Sequence, residues 1–384
     1  MGTAEALAIE HESVSLFRAI RAELLDEYRA GHDWPWVVGY SGGKDSTLVA
    51  HLVFEMLMKL PRSRRHRTVH IVANDTLVES PPVAQHMAES LAEIEQAAGA
   101  FDLPIVTKIT RPVPNRSFWV NLIGRGYPTP NRSFRWCTDR MKIEPTSAYI
   151  KSQADEAGQV VLLLGVRRAE SAARAASVGR YDNGGRLNKH NDLAGCMVFR
   201  PIVELSTDDV WEFLALNEPP WGGSHLKLIG LYRNASGGEC PVVTSRDDAP
   251  SCGTTSARFG CWTCTVVEKD RSLEGFVESG YDEFTPLLDF RDWLISIRDD
   301  KTRRQLRRRD GRITFMANGD LIPGPFTLKA RQEILDRLRD LEAETGQSLI
   351  ADEEVKVIHA IWAEDIAGQG KVKPLNTRQI AKRK

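Results

Sequence analysis

The hydrophobic positions fall into short runs and helical stripes that alternate along the first half of the chain. From Ser13 to Ala30 the apolar residues Val14, Phe17, Ile20, Leu24, Leu25 and Tyr28 recur at helical spacing, and Gly31 supplies a stop. This predicts a leading helix. Trp36 to Tyr40 then reads as a short buried strand, Ser41 to Ser46 as a Gly-containing turn and Thr47 to Leu60 as a helix. Thr68 to Ala73, Pro104 to Lys108 and Val160 to Leu164 are further strand candidates, with helical patterns between them at Val83 to Ala98 and Ile143 to Ala154. Strands alternating with helices predict an α/β fold, a mostly parallel sheet with helices on both faces.

After Pro201 a turn leads into a helix, with Ser206 at its N-cap and Asp208 and Asp209 in the first turn. The pattern changes at 217 to 260, which is rich in Gly, Pro, Ser and Cys. Helical periodicity returns at Phe284 to Ile297 and Leu328 to Leu341, before a tail carrying Lys371, Lys373, Arg378, Lys382, Arg383 and Lys384. Three regions follow: 1–216 with the leading helix and the alternating units, 217–266 as a Cys-rich segment, and 267–384 as a helical C-terminal region.

Composition narrows the class. With 42% apolar and 27% charged residues among 384, this is a globular composition and not that of a disordered or fibrous chain. The longest apolar run, Val160 to Leu164, is far too short to cross a bilayer. The N-terminus lacks a basic region followed by an apolar stretch, so the expectation is a cytoplasmic protein without a membrane partner. Fifty-one basic and 52 acidic residues leave a net charge of −1, so any nucleic-acid surface has to be local.

Ser41-Gly42-Gly43-Lys44-Asp45-Ser46 stands where a strand hands over to a helix, where backbone N–H groups and the helix dipole can hold a phosphate. It is not a Walker A loop, because Val38 replaces the leading glycine and Asp45 follows the lysine. A plain Gly-Gly turn is the competing reading at this stage. Downstream come Asn74-Asp75-Thr76, Arg135-Trp136-Cys137-Thr138 with Lys142 and Pro145, Gly165-Val166-Arg167-Arg168-Ala169-Glu170-Ser171 with Arg174, and Arg200-Pro201-Ile202 followed by Asp209-Val210-Trp211.

Together and in this order these segments resemble the PP-loop ATP pyrophosphatases, in the branch named for phosphoadenosine phosphosulfate (PAPS) reductase. The resemblance implies a PP-loop, adenine nucleotide alpha hydrolase-like fold that binds ATP and releases pyrophosphate by attack at the α-phosphate. It implies a nucleotide site built from Ser41, Gly42, Gly43, Lys44, Asp45, Ser46, Asn74, Asp75, Arg135, Gly165, Arg167 and Arg168. Cleavage between the α- and β-phosphates develops charge on both fragments, which cations and N–H donors offset. Lys44 and Arg167 are the candidates, and Asp45 is a candidate Mg2+ ligand. For Arg167, Arg168 and Arg174 the bland alternative is a solvated helix face with Glu170 as ion-pair partner.

Four of the six cysteines, Cys240, Cys252, Cys261 and Cys264, crowd into residues 240–264. In a reducing compartment that clustering points to a metal or redox site, and spacing alone leaves tetrahedral zinc and an iron-sulfur cluster both open. The tract resembles the iron-sulfur members of the same branch, among them the DndC proteins of bacterial DNA phosphorothioation. That resemblance implies a 4Fe-4S cluster held by Cys137, Cys252, Cys261 and Cys264, with Cys240 as the reserve for Cys137. Cys196 reads as an ordinary buried thiol.

No cysteine follows Cys264, so the catalytic cysteine of true sulfonucleotide reductases has no match here. The expected activity is then an ATP pyrophosphatase coupled to sulfur transfer in DNA phosphorothioation, of the DndC or SspD kind. DNA, a cysteine desulfurase as sulfur donor and other phosphorothioation proteins would be its partners. A tRNA thiolation enzyme is the alternative, with a sulfonucleotide (PAPS/APS) reductase third. Arg62, Arg64, Arg65 and Arg67, and the run Lys301, Arg303, Arg304, Arg307, Arg308, Arg309 and Arg312, suit either a phosphate backbone or a solvated face paired with Asp299, Asp300 and Asp310.

Overall fold

A computed structural model describes residues 3–181, 184–235 and 259–369. Its elements in chain order begin with α1 (Thr3–Tyr28), β1 (Trp36–Gly39), α2 (Lys44–Lys59), β2 (Val69–Asn74), α3 (Pro81–Ala100), β3 (Ile105–Thr110) and α4 (Glu144–Ala157). They continue with β4 (Val160–Leu163), α5 (Ala172–Tyr181), β5 (Leu187–Lys189), β6 (Cys196–Phe199), α6 (Thr207–Leu216) and α7 (Leu226–Ala235). The remaining ones are α8 (Arg271–Glu278), α9 (Thr285–Arg298), β7 (Thr314–Phe315), β8 (Leu321–Ile322), α10 (Leu328–Thr345) and α11 (Asp352–Gln369).

Six strands form one sheet in the order β3-β2-β1-β4-β6-β5, all parallel except β5, which pairs antiparallel to β6. Every residue of β1 and β4 is buried, as continuous apolar runs require when a central parallel strand is covered on both faces. The edge strand β3 exposes alternate positions. From β1 the chain steps outward to β2 and β3, then returns past β1 to β4. With right-handed crossovers this puts α2 and α3 on one face and α4 on the other. On the α4 face Ile150 and Ala154 share one buried cluster with Val37, Val72, Leu162 and Val198. The α/β class is therefore as the pattern predicts.

Contacts divide the chain into two compact units. One holds the sheet and comprises Met1–Asp75, Glu79–Arg111 and Lys142–Gly260; the other comprises Thr76–Val78, Pro112–Met141 and Cys261–Lys384. The expected breaks at 216/217 and 266/267 are not the ones the packing makes. Linear composition could not show that 112–141 leaves the sheet unit and packs with the C-terminal helices. In that second unit Trp119 meets Trp262 and Phe290 at ring distances of 5.9 and 6.2 Å. Arg331, 1% exposed, donates to the Gly124 carbonyl (2.5 Å) and the Asp365 carboxylate (2.8 Å).

Other differences have local causes. α2 starts at Lys44, three residues before the apolar pattern does, because the first turn of a helix accepts polar residues where its amides lack intrahelical partners. α7 lies inside the stretch read as irregular, with Leu228, Tyr232 and Ala235 as its buried face. Strand β6 carries Cys196, 3% exposed, whose thiol burial pushes up to about 12, as befits an inert core thiol. Among the described residues no helix is long and apolar enough to cross a membrane.

Candidate nucleotide site

β1 and β4 are neighbours in the sheet, yet the connections that leave them run to opposite sides. Such a switch point opens a crevice at the carboxyl ends of the strands, where α/β folds bind ligands. The segment 41–46 leaves β1 there, and Gly165 to Arg168 leaves β4. The first turn is bent at Gly42, whose φ of +75° lies in the region that favours glycine. Two serines hold the bend: Ser46 Oγ donates to the Gly43 carbonyl (2.9 Å), and the Ser41 amide donates to Ser46 Oγ (3.2 Å). Gly43 provides no side-chain cap for α2, and the first amide of the helix, that of Lys44, meets the Tyr232 hydroxyl at 3.4 Å.

Three ionic side chains meet in the first turn of α2. Asp45, 2% exposed, takes Arg167 Nε on Oδ1 at 2.5 Å, and Lys44 Nζ on Oδ2 at 3.1 Å. Arg167 Nη2 adds a 3.4 Å contact to Oδ2. Arg167 itself is 1% exposed and donates through Nη1 to Thr207 Oγ1 (3.1 Å) and the Leu205 carbonyl (3.4 Å). Thr207 is held in turn, because α6 opens with a capping box between Ser206 and Asp209. Two cations on one carboxylate leave one net positive charge at the amino end of α2, the sign that attracts a polyphosphate.

This geometry changes the part expected of Asp45. Both its oxygens face side-chain cations, a setting that repels a divalent ion, so the donor set does not fit Mg2+ and no step below runs through one. Asp45 is a brace for Lys44 and Arg167. Gly165 lies so near this turn that a Cβ there would stand 2.8 Å from the Asp45 carbonyl carbon and 2.9 Å from the Ser46 nitrogen.

The other expected residues are placed as follows. Asn74 and Asp75 end β2 at the same strand ends; Asn74 Oδ1 accepts from Thr110 (3.1 Å), and Asp75 pairs with Arg111 (2.9 Å). Arg168 pairs with Glu204 (2.8 Å), and Arg174 has the expected ion-pair partner Glu170 (3.1 Å) but is buried at 7% exposure and not on a solvated face. Arg135 belongs to the second unit. Two partners escaped the sequence reading, Thr207 and Tyr232. Tyr232 accepts from the Lys44 amide at 3.4 Å, and the Leu228, Tyr232 and Ala235 spacing is the signal that would have revealed its helix.

Cys137, Cys261 and Cys264 all belong to the second unit and none forms a disulfide; Cys240 and Cys252 lie outside the described residues. Cys261 and Cys264 share one turn, closed by a 2.9 Å bond from the Cys264 amide to the Cys261 carbonyl. Buried Arg291 pins that turn by donating to the carbonyls of Cys264 (2.9 Å), Val267 (2.5 Å) and Glu268 (3.1 Å). Among the described residues no group of three or more His, Cys, Asp or Glu side chains could hold a metal ion. The three thiols are thus not a complete cradle by themselves.

The basic segments are largely consumed by structure. Arg67 is 1% exposed beside Tyr28 and the Ala30 carbonyl, and Arg65 donates to the carbonyls of Leu60, Phe101 and Asp102. In the later run Arg303 pairs with Asp300 and Glu333, Arg309 with Asp365, and Arg312 with Asp310. Arg304 donates to three carbonyls, and burial lowers its pKa to about 10.

The sequence matches the phosphoadenosine phosphosulfate reductase domain over residues 35–267, more than half of the chain and all six strands of the sheet. It is similar to two proteins of Methanocaldococcus jannaschii. One, the uncharacterized protein MJ0066, is 25% identical over 212 residues, 54% of this chain and 36% of the relative. The other, the uncharacterized protein MJ0973, is 28% identical over 247 residues, 62% of this chain and 50% of the relative. The chain therefore spans half or less of either relative's length. A PAPS reductase from Candida auris, solved as a phosphate complex, aligns at 15% identity with a TM-score of 0.36, covering 58% of this chain and 90% of that one. On the domain match, the chain belongs to the phosphoadenosine phosphosulfate reductase domain family.

Proposed function

We propose that the chain is an ATP pyrophosphatase that adenylates a phosphate oxygen of DNA so that sulfur can replace it. The observation that carries this reading is the pair of cations, Lys44 and Arg167, braced on buried Asp45 at the amino end of α2. In the proposed reaction a non-bridging oxygen of the acceptor phosphate attacks the α-phosphorus of ATP. The bond to the β-phosphate oxygen breaks, and pyrophosphate leaves with the electron pair. Positive charge and N–H donors at the turn stabilise that leaving group. The adenylated oxygen can then depart as AMP when the outer sulfur of a persulfide, supplied by a cysteine desulfurase, attacks the acceptor phosphorus; a second thiol then cleaves the resulting S–S bond, leaving the phosphorothioate and a disulfide. DNA and the sulfur donor are part of the proposal and rest on the motif resemblance.

Pyrophosphate release from ATP, measured with DNA and sulfur donor present, is expected to fall at least tenfold in Lys44→Ala. Undiminished release in that variant would refute the assigned role. Mass spectrometry of host nucleosides, with and without the gene, tests the acceptor: loss of a phosphorothioate dinucleotide supports DNA, and loss of a thiolated base means tRNA instead.

We assign the thiols, on the same resemblance, to an iron-sulfur cluster completed by Cys252. Anaerobically purified protein is expected to contain iron and acid-labile sulfide, and Cys264→Ser to lose most of both. Zinc without sulfide sinks this assignment.

A further inference from the structure

Tyr232 lies in none of the motifs, yet it touches the phosphate-binding turn twice. Its hydroxyl oxygen stands 3.4 Å from the Lys44 amide, the first N–H of α2. Its ring centroid lies 5.4 Å from Lys44 Nζ, within cation–π range. The residue is only 8% exposed and is fixed from two sides, edge-to-face with Trp211 at 4.8 Å and with Phe259 at 4.7 Å. Its helix, α7, is tied to α2 and α3 ahead of it: His225 Nε2 lies 3.3 Å from His51 Nδ1, and Lys227 pairs with Glu89 at 3.3 Å. α7 is therefore a strap whose tyrosine oxygen occupies an acceptor position at the amino end of α2.

A phosphate oxygen bound at a helix N-terminus makes the same contact with the same amide. Both oxygens cannot occupy it. We infer that Tyr232 is a gating residue of the nucleotide site, its hydroxyl holding the Lys44 amide until a phosphate displaces it, while its ring keeps the Lys44 ammonium aimed at the site. This rests on the triphosphate reading of the turn, and it adds a competition that the reading does not contain. Two effects of one side chain are thereby separable. The hydroxyl opposes nucleotide binding, and the ring supports turnover by orienting Lys44.

The test is a pair of variants with α,β-methylene-ATP and inorganic pyrophosphate as probes in calorimetric titration. Tyr232→Phe keeps the ring and removes the competing oxygen, so both probes are expected to bind about three- to tenfold more tightly, the worth of one modest hydrogen bond. Its KM for ATP should fall. Tyr232→Leu removes both features, so it should bind tightly as well but lose kcat. Equal or weaker binding by Tyr232→Phe overturns the inference while leaving the triphosphate site intact. If the wild-type protein binds neither probe, the reading of the turn fails and takes the inference with it.

Discussion

Replacing Arg167 with alanine is expected to destabilise the sheet unit by about 3 kcal/mol and to reduce pyrophosphate release by about a thousandfold. The stability loss follows from what remains: Asp45 keeps a carboxylate at 2% exposure that has lost its guanidinium, and removing one member of a buried pair exposes the other's desolvation cost. For a unit of this size the melting temperature should fall by about 6–10 °C. The activity loss follows from position. Arg167 is locked to Thr207 and the Leu205 carbonyl, and through Asp45 it sets where Lys44 points. Arg167→Lys should rescue neither property, since a single ammonium cannot span Asp45, Thr207 and Leu205 as the forked guanidinium does. A double variant, Asp45→Asn with Arg167→Met, separates the two effects. With the Asp45 charge removed as well, but buried Lys44 left without that carboxylate, it should recover part of the melting temperature, yet it should stay inactive because the carboxylate brace that fixes Lys44 is gone. An Arg167→Ala protein that melts and turns over like the wild type would show that the brace is incidental.

How much of this was legible beforehand depended on whether a signal was local. The apolar runs at 36–40, 68–73 and 160–164 became three of the four interior strands, because a strand buried on both faces has no polar alternation to confuse it. Ser206 and Asp209 form the capping box that their spacing advertises. The Ser41 to Ser46 turn and the Gly165 to Arg168 segment were found as separate motifs and lie on adjacent strands. What their spacing could not convey is the ion triad between them, since residues 45 and 167 meet only after the sheet forms. Asp45 was read as a metal ligand for that reason: a carboxylate beside phosphate-binding glycines suggests a cation, and here the cations are the protein's own.

Charge and irregularity along a chain carry no partner information. The arginines of 62–67 and 301–312 suit either a phosphate backbone or a solvated face in the sequence, and Arg303–Asp300 and Arg312–Asp310 are pairs of the second kind. In the fold Arg65, Arg67 and Arg304 instead saturate carbonyls that helices and strands leave unpaired, a task suited to a planar five-donor group. Residues 217–260 are rich in Gly, Pro, Ser and Cys and show little long periodicity, yet ten of them form α7. The second unit was invisible as a unit because it gathers three separated segments.

Gly165→Ala is the smallest substitution expected to disable the site. One methyl group there would stand 2.8 Å from the carbonyl carbon and oxygen of Asp45 and 2.9 Å from the amide nitrogen of Ser46. All three are backbone atoms in the first turn of α2, so no rotamer change relieves the clash. Either the end of β4 or the start of α2 has to move, at a cost of about 2 kcal/mol for overpacking a rigid contact. The motion strikes the chemistry directly, because Asp45 sits on the moving turn and Arg167 follows two residues after the new methyl. Displacing Lys44 and Arg167 by a fraction of an ångström to an ångström should lower turnover by about a hundredfold. Gly99→Ala is the matched control: Gly99 lies within α3 with nothing inside 4 Å of its added Cβ, so the same change should leave activity alone and leave stability unchanged or slightly raised. Thermal melts and pyrophosphate release measured on both variants decide the matter. Equal behaviour of the two would mean that the close approach of β4 to the phosphate-binding turn does not govern the reaction.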